Sequence, residues 1–213
     1  MMTIIDLILG GIISLVVGAA VFILFFDRDP ERPIPLEPRV IVSPADGVIV
    51  YVRRIDGNAI PWSEKGGKRI NLVELTKFDY GISDGAVLGI YMSPFVVHVN
   101  RSPIAGQVTH ILRSPGKTMR MRNPVFEFEN RRTTIALRHA SGFQTIVIQI
   151  GVFAIARIDT FVSEGAKVKL GERIGRVRMG SQVDLIIPQM PDLEILVKEG
   201  DRVFAGSSII ARF

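Results

Sequence analysis

An unbroken run of 20 uncharged positions, Leu7 to Phe26 (LILGGIISLVVGAAVFILFF), lies near the start of the chain. As a helix rising 1.5 Å per residue it spans roughly 30 Å, the thickness of a bilayer's hydrocarbon core. The run therefore reads as a membrane anchor. A cleaved signal peptide is the competing reading, but that needs a basic start and a shorter apolar stretch, and the charge that precedes this run is Asp6. Arg28, Arg32 and Arg39 follow the run and no Lys or Arg precedes it. The positive-inside rule then predicts a single N-terminal anchor in the cell membrane with the remaining chain in the cytoplasm.

Charge points the same way. Residues 1–26 contribute only Asp6 to the net +5, so the remainder carries +6, which suits a domain resting on anionic lipid. The arginines are scattered among apolar residues without a nucleic-acid-binding motif, so nucleic acid is not an expected partner. Cys is absent, which excludes disulfides, thiolate catalysis and Cys-ligated zinc. A three-His metal site would need every His in the chain, 98, 110 and 139, so no metal is expected.

Pro30, Pro33, Pro35 and Pro38 make residues 27–39 an extended linker. From Val40 to the C-terminus the chain runs in short alternating or apolar stretches such as VIVYVRRI, FVVHVN and TIVIQIG, broken by Gly and Pro. No amphipathic helix of a dozen residues stands out there. The prediction is one mainly β domain over 40–213, with a length and 47% hydrophobic content that support a single sizeable core.

Two internal repeats sharpen this reading. SPADGVIV (43–50) recurs as SPIAGQVT (102–109), and EGAKVKLGERIG (164–175) recurs as EGDRVFAGSSII (199–210). Together they resemble the strand units of biotinyl and lipoyl carrier domains, the barrel-sandwich hybrid. A carrier presents a modifiable Lys at a hairpin tip, and no such tip is evident, so a non-catalytic adaptor or carrier is the weaker functional reading.

The Gly180-Ser181 pair within VRMGSQVDLIIP is harder to place. Gly206 of the second Gly-Ser pair matches Gly171 of the other repeat copy, whereas Gly180 has no counterpart. A strand bulge is one explanation. Chemistry on the Gly-Ser peptide bond is the other.

FFDRDPERPIP, SPADG, YMSPFVVHVNRSPIAG, FEFENRRTTIAL, QIGVFAIARI and RMGSQVDLIIP occur in that order. From about Phe25 to the C-terminus the chain resembles the phosphatidylserine decarboxylase proenzyme family in its short form, which includes archaetidylserine decarboxylases. The resemblance implies that the Ser181 hydroxyl attacks the Gly180 carbonyl and that an N-to-O acyl shift gives an ester. Elimination then separates residues 1–180 from 181–213, and the new N-terminus hydrolyses to a pyruvoyl group. Gly suits the first step because its carbonyl is unhindered and its backbone tolerates distortion.

The same resemblance assigns Asp46 and His98 to processing, with His98 taking the Ser181 proton and Asp46 orienting the imidazole. By local sequence alone, Asp46 before Gly47 is an ordinary turn residue and His98 among valines a half-buried strand residue. Longer family members carry a second His where this chain has Arg101. In the mature enzyme the resemblance implies that the pyruvoyl carbonyl takes up the amine of a serine phospholipid and accepts electrons as carbon dioxide leaves. Pyridoxal phosphate and metal are then not required, and His98 is the expected proton donor.

For the lipid phosphate the candidates are Arg101, close to His98, and more weakly Arg178. RSPGKTMRMRNPVFEF (113–128) mixes Arg113, Lys117, Arg120 and Arg122 with Met119, Met121, Val125, Phe126 and Phe128. It is expected either to dip into the lipid interface or to form an ordinary exposed hairpin. His110 and His139 have no motif around them. A pyruvoyl decarboxylase of a soluble amino acid is a third reading, which the anchor opposes.

Overall fold

The computed structural model describes residues 3–61, 69–121, 123, 126–152, 156–178 and 181–213. Helix α1 (Ile4–Phe26) is capped at Thr3, whose hydroxyl accepts from the Asp6 amide while its own amide donates to the Asp6 carboxylate. This helix is long and apolar enough to cross a membrane, and it is exposed along its length until Phe26, which is buried against the domain.

The domain that follows is mainly β, as expected. Its strands are β1 (Val40–Val42), β2 (Gly47–Ile55), β3 (Ala59–Pro61), β4 (Arg69–Asn71), β5 (Gly85–Met92), β6 (Val99–Arg101), β7 (Gly106–Ser114) and β8 (Arg132–Arg138). They continue as β9 (Gln144–Gly151), β10 (Arg157–Thr160), β11 (Lys167–Val168), β12 (Arg173–Arg178), β13 (Ser181–Pro188), β14 (Glu194–Ile195), β15 (Arg202–Val203) and β16 (Ile209–Arg212). Two short helices, α2 (Leu72–Thr76) and α3 (Phe126–Glu129), interrupt them. The main sheet has the order β11-β7-β8-β9-β13-β5-β2-β15, and a smaller sheet has the order β10-β12-β6.

The repeats occupy the two ends of the main sheet. The Val108 amide donates to the Ala166 carbonyl and the Val108 carbonyl accepts from the Gly165 amide, just as Ile49 donates to Asp201 and accepts from Gly200. The ends then meet: the Val42 amide donates to the Pro103 carbonyl and the Arg101 amide to the Pro44 carbonyl, both at 2.9 Å, which curls the sheet. Gly171 and Gly206 sit where the copies converge, with positive φ of 71° and 76° that L side chains rarely adopt. The likeness to lipoyl and biotinyl units rests on those sequence repeats.

Strand β13 is central and buried on both faces, which is why its sequence reads as a nearly continuous apolar run. Alternation sends Val183, Leu185 and Ile187 into the core enclosed by the curl, and Gln182, Asp184 and Ile186 to the opposite face. A second core covers that face, in which Leu72 and Leu75 of α2 and Phe126 and Phe128 of α3 pack on Ile146, Ile148 and Ile186. This corrects the lipid-dipping expectation for 113–128. Phe126 and Phe128 are buried and Met119 and Met121 pack against the same core. Arg122, Pro124 and Val125 lie outside the described residues.

Candidate functional site

The chain passes from the small sheet to the large one between Arg178, the last residue of β12, and Ser181, the first of β13. The expected scissile pair spans this crossing. Gly180 lies outside the described residues. Ser181 is fully buried, registered between Met92 of β5 and Gly151 of β9. Its Oγ donates to the Met92 Sδ at 3.3 Å, a weak acceptor that leaves the hydroxyl without a strong partner. Asn100 Nδ2 approaches the same sulfur at 3.7 Å, and Asn100 Oδ1 accepts from Gln149 Nε2 at 2.7 Å.

His98 lies on the segment between β5 and β6, and its carbonyl accepts from the Val177 amide in the β12 strand that leads to the crossing. Its Nδ1 is 2.9 Å from the Val96 carbonyl, an oxygen that can only accept, so Nδ1 carries the proton. Nε2 is then a lone-pair nitrogen, buried and without a hydrogen-bond partner among the described residues. Burial pushes the imidazole pKa down to about 4, helped by the charges of Arg28 and Arg176 and opposed by the Val96 bond and Asp27. The end of α1 adds to that burial: the Phe26 ring stacks on His98 with centroids 4.1 Å apart and planes at 29°.

The contacts of Asp46 differ from the expectation. Its Oδ2 pairs with Arg32 Nη2 at 2.5 Å and its Oδ1 accepts from the Ala205 amide at 2.8 Å; among the described residues it makes no hydrogen bond to His98. Burial lifts its pKa above the ordinary carboxylate value, against the lowering by the Ala205 amide and Arg32. Asp46 therefore fastens the linker to the β15–β16 loop, and the Val96 carbonyl orients the imidazole. Arg32 and Asp46 line a cavity of about 570 Å³ together with Arg28, Ser93, Val96 and Phe204, among others.

The linker is docked as a strap. Asp27, Asp29 and Glu31 alternate, so an extended chain turns all three to one side. Asp27 pairs with Arg176 at 3.2 Å and Arg178 at 3.0 Å, Asp29 with Arg173 at 2.5 Å and Arg101 at 3.3 Å, and Glu31 with Arg173 at 2.7 Å. Arg101 also donates to the Gly171 and Pro30 carbonyls, and Arg178 to Asp159. Both arginines expected to receive a phosphate are thus engaged by carboxylates of this chain.

Several residues around the site escaped the sequence reading. Asn100 had a signal, since it stands two residues after His98 in the alternating run FVVHVN. Gln149 was legible as a lone amide in the apolar run TIVIQIG. Met92 and Phe26 looked like ordinary apolar residues. On the opposite face of β13, Gln182 Nε2 bridges Asp184 Oδ1 at 2.8 Å and the Tyr51 hydroxyl at 3.3 Å. Burial there lifts Glu127 to about 8, with a further push from the Asp184 charge, and lifts Asp184 to about 6.

The phosphatidylserine decarboxylase family profile matches residues 19–211. The chain belongs to this family. A phosphatidylserine decarboxylase proenzyme from Symbiobacterium thermophilum is 34% identical over 204 residues, covering 96% of this chain and 83% of its own length. A protein from Methanothermobacter thermautotrophicus named "Putative archaetidylserine decarboxylase proenzyme" is 39% identical over 192 residues, with 90% and 81% covered. The Pelobacter propionicus phosphatidylserine decarboxylase proenzyme is 33% identical over 205 residues, with 96% and 83% covered. Membership in the decarboxylase family makes the chain an enzyme of the carboxy-lyase class. The match begins inside α1, so it includes Phe26 and the strap as well as the β domain.

Proposed function

We propose that this chain is a self-processing, pyruvoyl-dependent decarboxylase that converts a membrane serine phospholipid, phosphatidylserine or archaetidylserine, to the ethanolamine lipid and carbon dioxide. The observations that carry the reading are a buried, weakly held Ser181 hydroxyl at the crossing between sheets and a neutral His98 whose Nε2 has no partner among the described residues; no hydrogen bond joins the two side chains in this uncleaved chain. A dry imidazole of low pKa keeps its lone pair at neutral pH and can take the hydroxyl proton as Ser181 attacks the Gly180 carbonyl. Asp46 acts at one remove, holding Arg32 of the strap and so the cover over the site.

A pyruvoyl group fits at position 181. The side chain faces a thioether, and the registered neighbour Gly151 has no Cβ to crowd it. When formed, the group supplies an electron sink once the substrate amine has joined its carbonyl. The protein's part is to exclude water with Phe26 and to relay a proton through His98 Nε2, which would take it from the substrate ammonium and return it to the α-carbon. The fragment 181–213 contributes β13 between β5 and β9, β15 against β2 and β16 against β1, so the two chains stay associated after cleavage. The anchor and the arginines behind it set the domain at the cytoplasmic head-group plane.

The test is expression of the parent and Ser181→Ala in membranes, with denaturing electrophoresis and carbon dioxide release from serine phospholipid. The parent separates into two chains and is active, whereas Ser181→Ala stays whole and inactive. An active preparation that remains one chain removes the pyruvoyl mechanism and favours an adaptor or other chemistry. Faster release from free serine than from lipid favours a soluble amino acid substrate.

A further inference from the structure

Since Arg101 and Arg178 are engaged by the strap, the substrate phosphate needs other cations. A cavity of about 600 Å³ is lined by Arg113, Ser114 and Pro115 at the end of β7, Arg131, Arg132 and Thr133 at the start of β8, and Ala156, Arg157 and Ile158 at the start of β10. No carboxylate is among these residues. Arg113 makes no ion pair among the described residues. Arg131 donates to the Ala156 carbonyl at 3.3 Å, and Arg157 pairs with Asp159 through a side chain that is 77% exposed, a surface bond weak enough to exchange.

This cavity opens at the start of β8, two strands from Ser181 in the main sheet. Gly151, the register partner of Ser181, accepts the Arg131 side chain so closely that a Cβ there would lie 3.2 Å from Arg131 Cγ and 3.1 Å from Ala156 Cβ. Arg131 and Ser181 thus stand on either side of a residue with no side chain. Neighbouring strands are about 4.8 Å apart, which places the β8 backbone roughly 10 Å from Ser181. That gap matches a serine head group, whose amine and phosphorus are joined through two carbons and an oxygen, completed by the reach of a guanidinium. The cavity also lies level with the anchor's end, because Arg157 registers with Arg178, which holds Asp27 directly after α1.

We propose that Arg113, Arg131 and Arg157 form the subsite for the phosphate diester of the lipid substrate, with the Arg131 stem packed over Gly151, the register partner of Ser181. This rests on the function proposed above and names the residues that make the enzyme a lipid enzyme. Guanidinium pairs suit phosphate oxygens through parallel N–H donors, and Ser114 and Thr133 add hydroxyls.

Two measurements separate this subsite from the proposed function. In the first, the cleaved full-length enzyme acts on serine phospholipid diluted in neutral micelles. Arg113→Gln/Arg131→Gln raises KM at least about tenfold while kcat falls less than about threefold, the signature of lost ground-state binding. Arg113→Gln alone, an exposed position with little folding risk, raises KM about threefold. Arg54→Gln, at the opposite end of β2, is the control and changes neither constant. An unchanged KM in the double variant overturns the subsite while an active parent keeps the decarboxylase reading.

In the second, uncleaved Ser181→Ala is titrated calorimetrically with a short-chain serine phospholipid, a short-chain glycerol phospholipid and inorganic phosphate. Both lipids bind at least about tenfold more weakly once Arg113 and Arg131 are also replaced. Equal binding overturns the subsite even if the parent releases no carbon dioxide. Inorganic phosphate displacing lipid at equal concentration overturns the lipid assignment.

Discussion

Phe26→Ala tests how the end of α1 tunes the site. The Phe26 ring, 5% exposed, covers an imidazole that burial holds at about 4. With the ring removed, water reaches His98 and its pKa returns toward the unperturbed value of about 6.5. At pH 5.5 an imidazole of pKa about 4 is roughly 97% neutral, and one of about 6.5 is roughly 9% neutral. Self-cleavage that uses neutral His98 then falls about tenfold between pH 8 and 5.5 in Phe26→Ala and hardly at all in the parent. Phe26→Leu, which keeps an apolar cover, stays with the parent. The assay is the rate of appearance of the 181–213 fragment after synthesis in a cell-free system at each pH, alongside NMR titration of the His98 ring. Parallel pH profiles, or a variant imidazole still titrating near 4, refute the reasoning.

Asp46→Asn removes a charge that faces Arg32 rather than the imidazole, so self-cleavage stays within about tenfold of the parent, whereas losing a tautomer-fixing carboxylate costs a catalytic triad about 10⁴. A fall of that larger size returns Asp46 to His98. Truncation of residues 1–25, which spares Phe26, leaves self-cleavage intact and slows turnover in neutral vesicles more than in anionic ones; truncation of 1–26 shifts the cleavage pH profile as Phe26→Ala does. Glu127 keeps its proton in the fold up to about 8 and loses it when unfolded near 4.5, so its contribution to stability is full below 4.5 and is lost as pH rises to 8. Glu127→Gln therefore melts above the parent at pH 8, with the difference closing toward pH 4.5. A constant difference in melting temperature contradicts the buried, protonated Glu127.

The features legible in the sequence were those carried by contiguous residues. An uncharged run predicts α1, alternation predicts the β domain, and the missing repeat counterpart of Gly180 draws the eye to its neighbour Ser181, which opens β13. What escaped was pairing over long separations. The acids of DRDPE were visible, but nothing local tells that their partners are Arg101, Arg173, Arg176 and Arg178, so Arg101 and Arg178 looked available for phosphate. Asp46 looked like the partner of His98 because both stand in motifs, whereas its cation, Arg32, comes from the Pro-rich linker. Phe126 and Phe128 sit beside basic residues, which suggested a lipid surface, and only the outer core of the main sheet explains their burial.

Intact-mass analysis of the purified protein tests the central claim most directly. The account predicts two chains, residues 1–180 with a free carboxylate and residues 181–213 with a mass lower by one ammonia than simple hydrolysis would leave, the signature of a pyruvoyl terminus. That second chain should gain the mass of phenylhydrazine less water on treatment with the reagent. A single full-length chain in an active preparation, or a 181–213 fragment that begins with an ordinary serine amine, contradicts it.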